Sequence, residues 1–344
     1  MTHSAEPGTV RAGIGETLLS THQVGELSQR VLDAVGAVVV GKRGPLTMVL
    51  AGILAGGHVL LEDLPGLGKT LTARSLAQVL GIEFRRLQFT PDLLPADVTG
   101  SFLYDQRNHD FTFRAGPVFT NVLLADEINR TPPKTQAALL EAMQEKQVSV
   151  EGTTYRLEAP FCVLATANPI EYEGTYPLPE AQLDRFLLRV SFGYPNREEE
   201  WEVLRRRMAR RREESYLDPV VDRHTLLAMQ QSLEDVVVED SIGRYVVDLV
   251  AATREHPQLL VGASPRGSLA VLLLARAYAV IAGRDFVVPE DVKAVAVPAL
   301  AHRVSLRPEL WLRRVDPAGI IEDLLAATPA PVSAALPSYT ASRG

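Results

Sequence analysis

Apolar and polar positions alternate along the first half of the chain in a way that predicts buried strands separated by helices. Short apolar runs bounded by polar residues are typical of strands, and the stretches at 69–80 and 134–146 have helical spacing. The predicted strands cover residues 58–62, 122–126, 161–166 and 186–190. Strands that alternate with helices indicate an α/β fold with a parallel sheet.

Two segments interrupt this alternation with patterns typical of β-hairpins. The first covers residues 102–113 and turns near 106–110, and the second covers 147–158 and turns at Glu151–Gly152. We expect both hairpins to be insertions in the α/β core.

The pattern changes near residue 195, where strand signals stop and helical spacing continues to about 327. Asn196 is a good N-cap, and three glutamates follow it in the first turn of the next predicted helix. We therefore expect a flexible N-terminal tail, an α/β domain, a helical domain and a flexible C-terminal tail rich in Pro, Ser and Ala. The predicted bounds are 1–20, 21–195, 196–328 and 329–344.

Composition and charge exclude several classes of protein. The chain has 344 residues, with 35 Lys and Arg against 42 Asp and Glu, so its net charge of −7 argues against a general DNA-coating surface. A single cysteine, Cys162, excludes an internal disulfide framework and a Cys-based zinc cluster. The apolar stretches are shorter than a membrane span, and residues 1–16 lack a secretory pattern, so we expect a cytoplasmic protein.

The segment DLPGLGKT at 63–70 links a predicted strand to a predicted helix. Such a turn directs backbone N–H groups and a helix N-terminus at one point, which favours phosphate. Lys69 would reach the β- and γ-phosphates, and the Thr70 hydroxyl would bind Mg²⁺. The usual motif begins with glycine, whereas this chain has Asp63, so a plain glycine-rich turn stays the alternative.

Polar residues follow two of the other predicted strands. Asp126 and Glu127 end one of them, where Asp126 can hold Mg²⁺ and Glu127 can polarise an attacking water. Asn168 follows the next strand, and its amide could orient that water. Each of these residues alone is also typical of a solvated strand end or a turn, and the phosphate loop upstream favours the functional interpretation.

Taken together, these segments resemble the MoxR family of AAA+ ATPases, which is related to the ATPase subunits of magnesium chelatase. The resemblance runs in order from about residue 23 to 325. The matching segments are GHVLLE (57–62), QFTPDLLP (88–95), ADEINRTPPKTQ (125–136), ATANP (165–169), YPLPEAQLDRF (176–186) and SPR (264–266). It implies a P-loop NTPase sheet, the AAA+ core, with a C-terminal helical lid.

The resemblance also assigns roles to residues. It places Lys69 and Thr70 in Walker A, Asp126 and Glu127 in Walker B, Asn168 at sensor 1, Arg185 as the arginine finger that serves a neighbouring subunit, and Arg266 at sensor 2 on the lid. The hairpins at 102–113 and 147–158 match the family's helix-2 and pre-sensor 1 inserts. The implied nucleotide contacts come from Val40, Gly41, Pro65, Gly66, Leu67, Gly68, Lys69, Thr70 and Leu71.

The implied function is hydrolysis of ATP, with Mg²⁺, that drives remodelling or maturation of a partner complex, or insertion of a metal or cofactor into it. The implied partners are further copies of the chain in a ring, expected to be a hexamer, a protein with a von Willebrand factor A domain, and an unidentified client. Two alternatives stay open: a nucleotide-gated scaffold with little turnover, and a nucleic-acid-dependent motor.

Arg130 and the arginines of segment 205–212 have open interpretations. Arg130 could face a subunit interface or form a local ion pair. The arginines of segment 205–212 resemble a nucleic-acid patch, but they close a helix that glutamates open, as the helix dipole favours, and Glu202 can pair with Arg206. We therefore expect nucleic acid not to be a partner of this segment.

Overall fold

The computed structural model describes residues 19–168, 175–211, 216–313 and 315–331. Most of the predicted tails, 1–20 and 329–344, lie outside the described residues, as do Pro169 and Arg212. Within these ranges the chain forms a five-stranded sheet with flanking helices and hairpins, followed by a part built mainly of helices.

The elements of the sheet-containing part follow one another as α1 (Thr21–Gly36), α2 (Arg43–Leu54), β1 (Val59–Glu62), α3 (Lys69–Val79), β2 (Phe84–Gln88), α4 (Pro95–Thr99), β3 (Gly100–Asp105), β4 (Asp110–Ala115), β5 (Val122–Asp126), α5 (Pro133–Glu145), β6 (Gln147–Val150), β7 (Thr153–Arg156), β8 (Cys162–Ala167), α6 (Glu180–Leu183) and β9 (Leu188–Val190). The second part contains α7 (Arg197–Arg210), α8 (Arg223–Gln231), α9 (Asp240–Glu255), β10 (Leu259–Val261), α10 (Pro265–Ile281), α11 (Pro289–Leu300), β11 (Ser305–Leu306) and α12 (Pro317–Ala327).

The central sheet has the strand order β2-β5-β8-β1-β9, and all of its pairings are parallel. The predicted α/β fold with a parallel sheet is therefore confirmed. The sequence pattern did not predict β2, because this edge strand carries two exposed arginines, Arg85 and Arg86, in place of an apolar run. The carboxyl ends of the strands meet at one edge of the sheet, where a parallel sheet places its ligand site.

The two faces of the sheet pack against different apolar clusters. Side chains that alternate along a strand point to opposite faces. Val59 and Leu61 of β1 pack in the cluster that contains the helical part, whereas Leu60 packs in a second cluster with α5 and the segment around Phe89. β5 is buried on both faces, which explains its continuous apolar sequence.

The first cluster joins helices from both parts of the chain. α10 packs against α1 and α2, and α1 approaches it closely at Gly25, where a Cβ atom would lie 2.9 Å from the carbonyl oxygen of Val280. One apolar cluster is thus continuous across the predicted boundary near residue 195, and that boundary stays a prediction. The short pair β10–β11 is a strand feature that the sequence pattern of the helical part did not predict.

Both predicted hairpins are confirmed. β3 pairs with β4 and β6 pairs with β7, each antiparallel, and the second hairpin turns at Glu151 and Gly152. An aromatic contact joins the hairpins: the rings of Phe113 and Tyr155 are stacked, with centroids 4.1 Å apart, and Phe119 packs edge-on against both. The two insertions are therefore linked to each other by side-chain packing.

α7 differs from the other long helices because none of its described side chains is buried. Trp201, Leu204 and Met208 lie on one face of this helix and are more than half exposed. Among the described residues, every helix is too short or too polar to cross a membrane.

Candidate nucleotide site

The loop between β1 and α3 forms the first side of the site. Gly66 and Gly68 have positive φ angles, 84° and 81°, a conformation that costs little only for glycine, and Gly68 is the N-cap of α3. The first N–H groups of α3 therefore face the carboxyl edge of the sheet, together with the positive end of the helix dipole. This arrangement suits an anion such as phosphate.

Asp63 begins this loop in place of the usual glycine, and its carboxylate has a structural role. It accepts hydrogen bonds from the backbone N–H groups of Phe192 and Gly193 and from the hydroxyl of Ser191. The residue is buried, and its φ lies outside the positive region, so glycine is not needed there. Asp63 thus fixes the start of the loop to the segment that follows β9.

The Lys69 ammonium donates a hydrogen bond to the carbonyl oxygen of Asp63 at 2.5 Å. Burial lowers the pKa of Lys69, and the nearby carboxylates of Asp63, Asp126 and Glu127 oppose that shift because they stabilise the charged ammonium. The lysine therefore lies among acidic groups, where a phosphate could take the place of the carbonyl.

Asp126 ends β5 and has a partner at each oxygen. Oδ1 accepts from the hydroxyl of Thr166 at 2.6 Å, and Oδ2 accepts from Nε and Nη2 of Arg86 at 2.9 and 2.6 Å. The Thr166 hydroxyl also accepts the backbone N–H of Glu127 at 2.7 Å, so it connects the two acids. Neither Thr166 nor Arg86 was predicted from the sequence as a site residue.

Glu127 adopts a left-handed backbone conformation, with φ 57°, which is uncommon for a non-glycine residue. Its Oε2 accepts from the amide of Gln88 at 2.6 Å and lies 3.2 Å from Nη1 of Arg130. Gln88 in turn accepts from Arg86 at 2.8 Å, which orients its amide nitrogen toward Glu127. Of the two interpretations of Arg130, the local ion pair is the one present within this chain.

These residues surround a cavity of about 440 Å³, which is large enough for a small polar ligand. Asn168, buried at the end of β8, lines it as well. The lining residues are Pro65, Gly66, Gly68, Lys69, Thr70, Leu71, Arg86, Asp126, Glu127, Thr166 and Asn168. The Thr70 hydroxyl and the Asp126 carboxylate supply the hard oxygen donors that Mg²⁺ prefers, so the residues present fit this ion.

Arg185 and Arg266 line a different cavity, of about 300 Å³. Arg185 donates to the side chain of Gln144 at 3.1 Å, and Arg266 lies 3.6 Å from the carboxylate of Asp184. Arg266, which the resemblance places at sensor 2 on the lid, lines the same cavity as Arg185 because α10 begins beside the segment between α6 and β9.

The other two residues expected to contact nucleotide, Val40 and Gly41, lie between α1 and α2. The adjacent Lys42 donates to the carbonyl oxygen of Tyr194 at 3.0 Å. Since Asp63 binds residues 191–193, the segment after β9 connects the phosphate loop with residues 40–42. Leu67 belongs to the phosphate loop but not to the cavity lining above.

Comparison with known proteins identifies the family. Residues 58–188 match the model of the ATPase family associated with various cellular activities, and residues 251–324 match the AAA lid domain. The chain is 42% identical to "Chaperone MoxR1" of Mycobacterium tuberculosis over 318 residues, covering 90% of this chain and 84% of that protein. The chain belongs to the MoxR family of AAA+ ATPases. As a member of this family, it is an ATPase.

Two further proteins are similar to most of the chain. Protein YeaC of Bacillus subtilis is 47% identical over 303 residues, covering 88% of this chain and 94% of that protein. A crystal structure of a candidate ATPase from Cytophaga hutchinsonii superimposes with a TM-score of 0.85 at 42% identity, covering 91% of this chain and 97% of the other.

The arginines at the end of α7 form local contacts in this MoxR-family chain. Arg205 and Arg206 both donate to the carboxylate of Glu202, at 2.6 and 2.7 Å, and these hydrogen bonds lower the pKa of Glu202 to about 2. Arg206 also donates to the carbonyl oxygen of Gly36 at 3.0 Å, so part of the arginine run connects α7 to α1. These contacts agree with the expectation that the segment is a charged helix face.

Proposed function

We propose that this MoxR-family ATPase hydrolyses ATP with Mg²⁺ at a site shared by two subunits of a ring, and uses the cycle to remodel a partner protein. The observation that carries the proposal is that Arg185 and Arg266 lie apart from the phosphate loop of their own chain. Lys69 lies in the cavity with the acids, whereas Arg185 and Arg266 line another cavity of the same chain.

The phosphate loop binds the nucleotide through its backbone and Lys69. Pro65, Gly66, Leu67 and Gly68 present N–H groups or shape the turn, and Lys69 moves from the carbonyl of Asp63 to the β- and γ-phosphates. Thr70 and Leu71 follow at the start of α3. Val40 and Gly41 contact the adenine, a role supported by the link from Asp63 through residues 191–194 to Lys42.

Thr70 and Asp126 would hold Mg²⁺, which would neutralise part of the phosphate charge. Glu127 polarises the attacking water and takes its proton, and Asn168 orients that water by a hydrogen bond from its amide. In the structure Glu127 is bound to Gln88 and Arg130, so catalysis requires its side chain to leave these partners.

Arg185 stabilises the transition state in the neighbouring subunit, because a cation at the γ-phosphate offsets charge that spreads over its oxygens. Arg266 lines the same cavity as Arg185, and we assign it to the neighbour's nucleotide as well. A monomer would then lack two cations that the reaction needs.

We propose a hexamer as the ring, with a von Willebrand factor A-domain protein and a client as partners, in the cytoplasm. The chaperone name of the Mycobacterium tuberculosis relative supports remodelling of a protein as the output, with metal or cofactor insertion as a variant. The joined hairpins β3–β4 and β6–β7 offer a route to the client, because Leu103, Tyr104 and Phe111 are exposed near the tip of the first hairpin.

Dependence of turnover on protein concentration tests the shared site. Specific ATPase activity should rise as the protein associates, and Lys69→Ala should abolish binding of a nucleotide analogue, while exchange of the exposed lid residue Lys293 for alanine should leave it unchanged. A concentration-independent rate from a monomer would contradict the shared site.

The Glu127→Gln variant tests whether the ATP cycle acts on a partner protein. It should keep ATP bound and retain partner and client in a pull-down with ATP, whereas Lys69→Ala should not. If turnover of the unaltered protein is negligible at every concentration, the scaffold alternative is favoured, and stimulation of turnover by DNA in a salt-sensitive manner would favour the nucleic-acid motor.

A further inference from the structure

Arg303 is a buried arginine that the sequence analysis did not single out. It ends the short 3₁₀ turn Ala301–Arg303 that follows α11, and its side chain is 3% exposed. Burial of a guanidinium is unfavourable unless its donors find acceptors, so a buried arginine indicates what it binds.

Most acceptors of Arg303 belong to one segment, residues 184–187. Nε donates to Oδ1 of Asp184 at 2.8 Å, Nη2 to the carbonyl oxygen of Phe186 at 2.7 Å and, more weakly, to that of Asp184 at 3.3 Å, and Nη1 to the carbonyl oxygen of Leu187 at 3.1 Å. A further bond goes to the carbonyl oxygen of Ala299 in α11. The guanidinium therefore binds the backbone on both sides of Arg185.

The segment that Arg303 binds connects α6 to β9 and is not itself part of a helix or strand. The N–H groups of Arg185 and Phe186 bond back to carbonyls of α6, at Gln182 and Leu183. The carbonyl groups of Asp184 and Phe186 accept from Arg303 instead, and the His302 ring also contacts the Phe186 carbonyl at 3.1 Å. The backbone path through Arg185 thus depends on side chains from the helical part of the chain, and Arg303 makes most of the contacts.

The planar fork of a guanidinium suits this task, because its donors diverge in fixed directions and hold several acceptors at once. Burial lowers the pKa of Arg303, and the Asp184 carboxylate opposes that shift. Asp184 lies between Arg303 and Arg266, so both lid arginines approach the residue that precedes Arg185.

We propose that Arg303 is a positioning residue for Arg185: it fixes the segment 184–187 to the helical part, so that the Arg185 guanidinium is presented to the neighbouring subunit. The inference rests on the proposed role of Arg185 in trans. It also implies that a displacement of α11 carries the arginine finger with it.

The test compares variants of the full-length protein for turnover and for nucleotide binding. Arg303→Lys keeps the charge but not the fork. We expect kcat to fall about ten-fold or more, a part of the roughly 10³–10⁵-fold that an arginine finger supplies, with the nucleotide Kd unchanged within about two-fold. Asp184→Asn, which keeps an acceptor, should show a smaller loss. Unchanged kcat in Arg303→Lys would overturn the proposal.

A matched control is Arg284→Lys. Arg284 also makes a two-pronged ion pair with a buried carboxylate, Asp291, but inside the helical part and without contact to residues 184–187. Arg284→Lys should lower thermal stability, while kcat of the assembled ring should stay within about two-fold of the unaltered protein. Misplacement of an arginine finger would lower kcat by much more. An equal loss of kcat in both variants would assign the effect of Arg303 to general stability.

Mixing of subunits separates misplacement of the finger from misfolding. The Glu127→Gln subunit has an inactive site but an intact finger, and Arg303→Lys has the reverse. Their equimolar mixture should turn over faster than either variant alone, as should Arg185→Ala mixed with Glu127→Gln. If the Arg185→Ala mixture recovers and the Arg303→Lys mixture does not, the positioning role is wrong. If the mixture of Arg185→Ala and Glu127→Gln regains no turnover, the proposed role of Arg185 in trans is wrong.

Discussion

Arg86 donates two hydrogen bonds to a single oxygen of Asp126, Oδ2, while Thr166 donates to the other oxygen. The carboxylate proposed to hold Mg²⁺ is therefore already paired with a cation. Any metal that approaches Oδ2 competes with the guanidinium, because both need the same negative charge. The Arg86 side chain is half exposed, so water weakens this pair and the competition is moderate.

Replacement of Arg86 by methionine should lower the Mg²⁺ concentration that nucleotide binding requires. We expect the Mg²⁺ concentration for half-maximal binding of an ATP analogue to fall about two- to five-fold, the equivalent of a partly exposed ion pair. Titration of Mg²⁺ at fixed analogue concentration measures it. Arg85→Met is the control, since Arg85 lies on the same strand and pairs with Glu83. An unchanged or higher Mg²⁺ requirement in Arg86→Met would contradict the competition.

The phosphate loop and the acids could be predicted from sequence because short segments specify them. A strand, a turn with Gly-Lys-Thr and a helix are local in the chain, and Asp126, Glu127 and Asn168 end strands that a parallel sheet brings together. Their partners Arg86 and Gln88 come from the edge strand β2, whose polar sequence carries no strand signal.

Arg266 and Arg303 could not be located from sequence for another reason. Both belong to the helical part, and their positions beside Asp184 depend on how α10 and α11 pack against the α/β part. That packing follows from the whole apolar cluster and not from any segment of it. The resemblance assigned a role to Arg266 but did not indicate which cavity it lines.

Asp63→Gly would restore the usual first residue of the phosphate loop, and we expect it to destabilise the protein. The change removes the acceptor of the Phe192 and Gly193 N–H groups, and the loss should be about 2–4 kcal/mol because donors that are buried stay unpaired. Urea unfolding measures it. Asp63→Asn keeps one acceptor oxygen and should lose less; a glycine variant as stable as the unaltered protein would contradict the structural role.

The stacking of Phe113 on Tyr155 should couple the two hairpins. In Phe113→Leu we expect amide hydrogen exchange to become faster not only in β3–β4 but also in β6–β7, because the stack contributes about 0.5–1.5 kcal/mol beyond area burial. Phe111→Leu is the control, since Phe111 contacts Tyr104 within its own hairpin. If exchange in β6–β7 responds equally to both changes, the stack does not link the hairpins.

His58 should make the fold less stable in mild acid. It is buried at the start of β1, where Nδ1 accepts the Val163 N–H at 2.9 Å and Nε2 donates to the Met143 carbonyl at 3.1 Å. A second proton would have to sit on Nδ1, against that N–H group. Burial, aided by Lys146, lowers the pKa of His58 from 6.5 to about 4.

Because the pKa of His58 is lower in the folded state than in the unfolded state, the unfolded chain binds the extra proton first as the pH falls. The contribution of His58 to the free energy of unfolding is full above pH 6.5. It declines between about pH 6.5 and 4 by about 1.4 kcal/mol per pH unit, or about 2 kcal/mol from pH 7 to 5. Urea unfolding at these two pH values measures the decline. In His58→Asn, whose oxygen can still accept from Val163, it should be smaller by that amount; His302, also buried with a lowered pKa, contributes to both proteins. His224→Asn, at an exposed site, should behave as the unaltered protein. An equal decline in His58→Asn would contradict a lowered pKa of His58 in the folded state.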